Sequence, residues 1–404
     1  MTSPSVNAGV PILDMDPYSD ENIDNPSRFN EAIRDLGPVV WLKPHNMYAV
    51  GRFAEVEAVL GDDKRFLCTA GVGLTDIRKP ESLREKNPLL EVEPDEHARV
   101  RSGLLKILSP AVLRTMKGTF EQKAEELVDK MIDLREFDGV HDLVEPYILG
   151  VFPQTVGIKI NPETVLLFGD LNFNANGPLN DLYRNARKKV EQYLPEFEEA
   201  FRRENMVPGG MGAQIYDAEE SGGFRPGTAV GFVRVLFRGG FDTTIAGIGA
   251  TLYHLGQSGV AWDALRANPE GVFAAFDEAL RVVSPARVMH RVTVPQGCEL
   301  SGMQLQGDVK VGAYIAAANL DPRKYLDPDK YDMKRAGLAN HLAFGTGATK
   351  CLGLLLAKYE AEAILKVLVR RVKTLQLLSD EHPGFKRINT LRTLKSLPLR
   401  VIPN

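Results

Sequence analysis

Phe344-Gly345-Thr346-Gly347-Ala348-Thr349-Lys350-Cys351-Leu352-Gly353 holds one cysteine in a glycine-rich loop, and a helical pattern, Leu354 to Ala363, follows directly. A thiolate just ahead of a helix N-terminus meets the positive end of the helix dipole and several backbone N–H donors. Those donors stabilise the anion and temper how much electron density it passes to a bound metal. Gly345, Gly347 and Gly353 let the backbone approach a flat ligand where side chains would clash. A dinucleotide loop is a poor alternative, because Gly345-x-Gly347-x-x-Lys350 lacks the third glycine and no clean strand precedes it. A buried structural cysteine in an ordinary loop-to-helix turn is the other reading, and the rest of the chain decides between them.

The loop resembles the signature of the cytochrome P450 monooxygenases, Phe-Gly-x-Gly-x-His/Arg-x-Cys-x-Gly. It departs at Thr349, where the family usually has a basic residue that contacts a haem propionate. The resemblance implies that Cys351 is the axial thiolate of haem b, with Phe344, Gly345 and Gly353 around the cofactor. Thiolate ligation of haem iron favours O–O bond cleavage.

Four further stretches stand in family order. Glu278-Ala279-Leu280-Arg281 puts an acid and a base on one helix face. In the family that pair locks onto the segment before the cysteine loop, for which Asp327-Pro328-Asp329-Lys330-Tyr331 offers partners. Gly231 to Leu255 reads as one long apolar helix carrying five glycines, Gly231, Gly239, Gly240, Gly247 and Gly249. Each costs a helix ~1 kcal/mol relative to alanine, which suggests a ligand lying close to the backbone or tight helix packing. By resemblance this is the family's central helix, where an acid and an alcohol, here Asp242 and Thr243, flank a distorted turn above the iron and relay protons to dioxygen. His97 and Arg101, four apart on one helix face, match propionate-binding residues, as does Arg291 after Ser284-Pro285.

Parts of the chain are similar to the bacterial group that demethylates 4-methoxybenzoate: Gly71 to Asp76, Asn174 with Gly177-Pro178, the Asp242-Thr243 helix, and Asn389-Thr390-Leu391-Arg392. That resemblance implies a substrate pocket of Thr75, Phe173, Asn176, Val235, Arg238, Gly239, Met289 and Leu391. Thr75 replaces a serine and Phe173 keeps one aromatic. Val235 and Arg238 stand where the group has serines, and Asn176 and Met289 where it has ring-packing phenylalanines. Arg238 either binds a substrate carboxylate bidentately or points outward, because it lies five residues before Thr243 and so off its face of an ideal helix.

Composition sets bounds. The 404 residues contain no Pro/Ser-rich linker or internal repeat, so residues 1–404 are expected to form one domain. A net charge of −4 argues against nucleic acid as a partner. Cys68, Cys298 and Cys351 are too scattered for a disulfide framework or a zinc cluster. Met1 to Ala8 has no signal-peptide pattern, and no window is apolar enough to span a bilayer, so a cytoplasmic, membrane-free enzyme is expected.

Strand-like runs at Val39 to Leu42 and Met47 to Val50 flank a turn, and Glu55 to Leu60 reads as a helix. Helical periodicity then dominates, clearest at Pro110 to Leu134, Leu179 to Glu204 and Gly231 to Leu255. Strand signals return near Val292, Leu300, Val309 to Ile315 and Leu397 to Ile402. The expected fold is mainly α with a small β lobe. The expected activity inserts one oxygen atom of O2 into a small aromatic, by O-demethylation or hydroxylation of a methoxylated or alkylated aromatic acid. Electrons would come from NAD(P)H through a reductase and a ferredoxin, with Lys350, Lys358, Arg99 and Arg101 as basic residues near the docking face. A peroxide-driven peroxygenase of the same fold would not need Asp242 and Thr243, and a haem-binding sensor or carrier would have little use for them.

Overall fold

A computed structural model describes residues 9–80 and 82–404; the reading of Met1 to Ala8 lies outside them. Helices form most of the molecule, and one extended apolar core runs from Leu89 to Val401. At its centre the helices Asp242–Gln257, Val272–Val283 and Leu354–Arg371 pack on one another. A separate lobe holds a six-stranded sheet in the order Ile12–Leu13, Val40–Leu42, Met47–Val50, Lys310–Ala313, Met289–Thr293, Phe66–Leu67. Val40–Leu42 and Met47–Val50 pair antiparallel across the expected turn, while Met47–Val50 and Lys310–Ala313 pair in parallel. The mainly helical fold with its small sheet lobe is as the sequence implies. None of the three cysteines forms a disulfide. Among the described residues no helix is long and apolar enough to cross a membrane.

Three helices read as continuous are interrupted. Pro110 to Leu134 divides at Met116 into Pro110–Thr115 and Lys117–Leu134. Leu179 to Glu204 becomes Asp181–Val190, a tight turn at Glu191–Tyr193, and Leu194–Ala200. The third interruption matters most. The central helix breaks at Phe241 between Ala229–Gly240 and Asp242–Gln257. Around that break the hydroxyls of Thr243 and Thr244 donate to the carbonyls of Gly239 and Gly240, at 3.0 and 2.9 Å. Side chains bonding the backbone four residues back bend helices, and glycines lower the resistance to bending. Gly240 is also required by packing, since a Cβ there would lie 2.2 Å from the Phe152 ring, whereas a Cβ on Gly239 would meet open space.

Candidate active site

Cys351 ends a loop pinned by its own N–H, which donates to the Phe344 carbonyl at 2.8 Å. Its sulfur accepts from the backbone N–H groups of Gly353 and Leu354, at the start of the helix Leu354–Arg371. Burial pushes the thiol above its ordinary value; the Gly353 N–H, the Arg101 guanidinium and the Leu354 N–H oppose this. A metal on the sulfur would settle that contest in favour of the thiolate. Between this loop and the broken central helix lies a cavity of about 610 Å³. Cys351 opens onto it from one side and Thr243 from the other.

The residues around the cavity fit a haem. Arg101 and Arg291 border it, as do Phe344, Gly345 and Gly353. His97 lies buried beside Arg101, its Nε2 without a hydrogen-bond partner, as expected of a group waiting for an acceptor. Burial, then the neighbouring Arg101 charge, lowers the His97 pKa. Arg291 donates to the Thr349 hydroxyl at 2.9 Å, so the residue that departs from the family signature holds this arginine at the cavity wall. A Cβ on Gly353 would meet no atom within 4 Å, leaving the backbone bare toward the cavity.

Glu278 and Arg281, both fully buried, form a two-pronged ion pair at 2.7 and 2.9 Å. Arg281 donates onward to the carbonyls of Asn319, Pro328 and Lys330, the last two within the segment named from sequence. Arg335, which sequence reasoning missed, donates to Glu278 at 2.9 Å and ties the same segment through the Asp327 and Lys330 carbonyls.

Phe173, Asn176, Val235, Arg238, Gly239 and Met289 border the cavity, but Thr75 and Leu391 do not. The Leu74 N–H donates to the Asn176 carbonyl at 2.8 Å, which brings Val72 to the cavity and carries Thr75 past it. Leu391 packs behind Phe173 with Ile388. The segment holding it is a clasp: Asn389 bonds Asn174 through both its N–H and its amide, and Thr390 donates to the Phe173 carbonyl at 2.6 Å. The Asn174 and Asn389 stretches, each resembling the O-demethylase group, therefore support the helix that carries Phe173. Arg238 reaches Glu85 at 3.0 Å at the cavity rim, so the guanidinium neither lies deep in the pocket nor turns away from it.

Asp242 and Thr243 are the first two residues after the helix break and face different cavities. Thr243 borders the large cavity, while Asp242 faces a second cavity of about 40 Å³ with Glu145, Asp170, Lys386 and Thr393. Asp242 Oδ2 has no partner, and Gly169 leaves the room it occupies. Burial, then the nearby Asp170, pushes the Asp242 carboxyl well above the usual carboxylate range. Lys386 pairs with Glu145 at 3.0 Å, and Glu145 with the half-exposed His141 at 2.8 Å, so charged groups lead from this cavity to the surface. Of the basic residues named for docking, Lys358 is held by Asp277 at 2.7 Å and Arg99 by Glu96 at 2.8 Å, while Arg101 borders the cavity. Lys350 remains exposed beside the cysteine.

Residues 155–396 match the cytochrome P450 family. The chain is 37% identical over 406 residues to cytochrome p450 CYP199A2 of Rhodopseudomonas palustris, covering 100% of this chain and 98% of that one. This chain belongs to the cytochrome P450 family. It is also 28% identical to linalool 8-monooxygenase of Pseudomonas putida, over 78% of each chain. Among solved structures, CYP109Q5 from Chondromyces apiculatus superposes with a TM-score of 0.79 at 27% identity, over 97% of this chain and 99% of that one. The P450 CREJ, in complex with (4-ethylphenyl) dihydrogen phosphate, gives a TM-score of 0.84 at 23% identity, over 94% and 98%, a likeness of fold. The protein is thus a P450 monooxygenase that binds haem b through a cysteine thiolate and uses O2 on an organic substrate.

Proposed function

We propose that this P450 oxidises a methoxylated or alkylated aromatic acid, as one unit over residues 1–404, with Cys351 as the axial thiolate. For a methoxy substrate the net reaction takes up O2, two electrons and two protons and releases the phenol, formaldehyde and water. Bound haem supplies the activation of O2 and the oxidation itself. The protein's share is to hold the substrate, exclude water and place protons.

The observation that carries the reading is the polarity of the large cavity. Phe173 and Val235 give it apolar wall, Thr243 faces the cysteine side, and Arg238 stands at the rim. An aromatic acid laid between them has its carboxylate toward the guanidinium and its alkyl or methoxy group toward Cys351. Arginine suits that end because its planar fork matches a carboxylate. Thr243, bonded to the Gly239 carbonyl, keeps its oxygen lone pairs available at the cavity wall. Asp242, its carboxyl held toward the protonated form by burial and facing the small cavity, is positioned to pass protons from the charged groups behind it.

Electrons reach the site from a ferredoxin reduced through NAD(P)H, docked over the face that exposes Lys350. The test is turnover of haem-loaded enzyme with 4-methoxybenzoate, NADH, a ferredoxin and its reductase. Formaldehyde and 4-hydroxybenzoate should appear in equal amounts and depend on the ferredoxin. Equal product from hydrogen peroxide alone would favour the peroxygenase reading, and no product with any methoxylated acid would defeat the substrate assignment.

A further inference from the structure

The cavity rim has more cations than the reaction assigns. Among the described residues, seven basic side chains border the cavity: Arg84, Lys86, Arg101, Arg234, Arg238, Arg291 and Lys350. Arg101 and Arg291 stand at the haem end, while Lys86 and Lys350 are exposed to solvent. Arg84 is locked to Glu91, a fully buried carboxylate that also accepts from the Val72 and Asn87 N–H groups. Arg234 is held by Glu198, with Glu85 at 4.0 Å. Arg238 differs from all of these. Its one ion-pair partner among the described residues is Glu85, at 3.0 Å.

Glu85 is a weak partner. Its side chain is 60% exposed on the loop that precedes the buried Glu91 anchor, while Arg238 is 33% exposed on the helix Ala229–Gly240. Exposed pairs of this kind are screened by water and contribute little. A carboxylate arriving on a ring packed in the cavity would be held by that packing against the same guanidinium, where a bidentate pair is stronger than the exposed contact with Glu85.

We propose that Glu85 is a built-in counter-ion that occupies Arg238 in the empty enzyme and is displaced by the carboxylate of the incoming substrate. Glu85 then acts as a specificity-determining residue. A neutral ligand leaves the pair closed and gains nothing from Arg238, whereas an anionic one exchanges for Glu85 and frees it to solvent. Because the ligand must compete with Glu85, removing that carboxylate tightens binding of acids selectively. The proposal rests on the reading that the substrate is an aromatic acid.

The test is a double-mutant cycle on haem-loaded protein, with E85Q, R238Q and the double variant titrated with 4-methoxybenzoate and its methyl ester by the shift of the haem Soret band. Both positions lie at the rim, and haem content checks that each variant folds. E85Q should tighten the acid about fivefold, the factor that ~1 kcal/mol represents, and change the ester less than about twofold. R238Q should weaken the acid by about tenfold or more, and adding E85Q to R238Q should restore nothing. The proposal is overturned if E85Q weakens the acid, shifts acid and ester alike, or still tightens the acid without Arg238. It also falls if neither wild type nor E85Q binds the acid. A cycle that behaves as expected in an enzyme that releases no formaldehyde would instead defeat the O-demethylation reading and leave the exchange standing.

Discussion

Thr243 and Asp242 are neighbours in sequence yet face different cavities, and that division decides what each can do. Thr243 borders the space next to Cys351; Asp242 borders a small polar chamber leading toward Lys386, Glu145 and His141. Thr243→Ala removes the hydroxyl at the reaction side and leaves the substrate walls untouched. The variant should bind substrate and consume NADH but release more hydrogen peroxide and less product per NADH. Full coupling would mean another group delivers the protons. The pair and a distorted turn beside it were legible from the family resemblance, but the opposed facing of the two side chains was not, because apolar periodicity does not show where the break at Phe241 aims them. Arg238 shows the same limit: its spacing from Thr243 left inward and outward positions open, and its Glu85 partner comes from a loop 153 residues away.

At the scale of elements, the Glu278–Arg281 pair joins the helix Val272–Val283 to the segment 319–335 that leads into the cysteine loop. Both side chains have no exposure, so truncating either leaves a buried charge without its partner, a loss of roughly 3–5 kcal/mol. Glu278→Ala and Arg281→Ala should therefore lower folding yield and haem incorporation together, measured as haem absorbance per protein. Normal haem content with lost activity would contradict a structural role. The pair was readable because an i, i+3 spacing fixes a shared face. Arg335 was not, since it enters from an irregular segment with no periodicity to place its side chain. The glycines of the central helix divide similarly. Gly239 leaves open space beside the cavity, whereas Gly240 and Gly247 are demanded by Phe152 and by Phe276 with Leu280. Composition alone offered both explanations and no means of sharing them out.

Across the whole molecule, His254 links the central helix to the same segment by stacking on Tyr331, with ring centroids 4.6 Å apart and planes within 8°. Burial lowers its pKa to about 4. An unfolded histidine titrates near ~6.5, so between these values the unfolded chain holds a proton that the folded protein refuses. Stability from the neutral ring is complete above that unfolded value and is lost as pH falls. Between about pH 6.5 and 5 the loss is ~2 kcal/mol, at ~1.36 kcal/mol per pH unit. His254→Gln should destabilise less than wild type does on going from pH 7 to 5, read from the unfolding midpoint. An unchanged pH dependence would contradict the assignment.

The large cavity and the family assignment meet at one sulfur atom. Cys351 opens onto the cavity that Thr243 borders, Arg101 and Arg291 border the same cavity with His97 buried beside them, and the chain belongs to a family that binds haem through a cysteine thiolate. The direct measurement is the absorption spectrum of the reduced, CO-bound protein, in wild type and in Cys351→His. Wild type should show the long-wavelength Soret band of thiolate ligation, and the variant should lose it for the shorter-wavelength band of histidine ligation. A Cys351→His protein that kept the long-wavelength band would contradict the account.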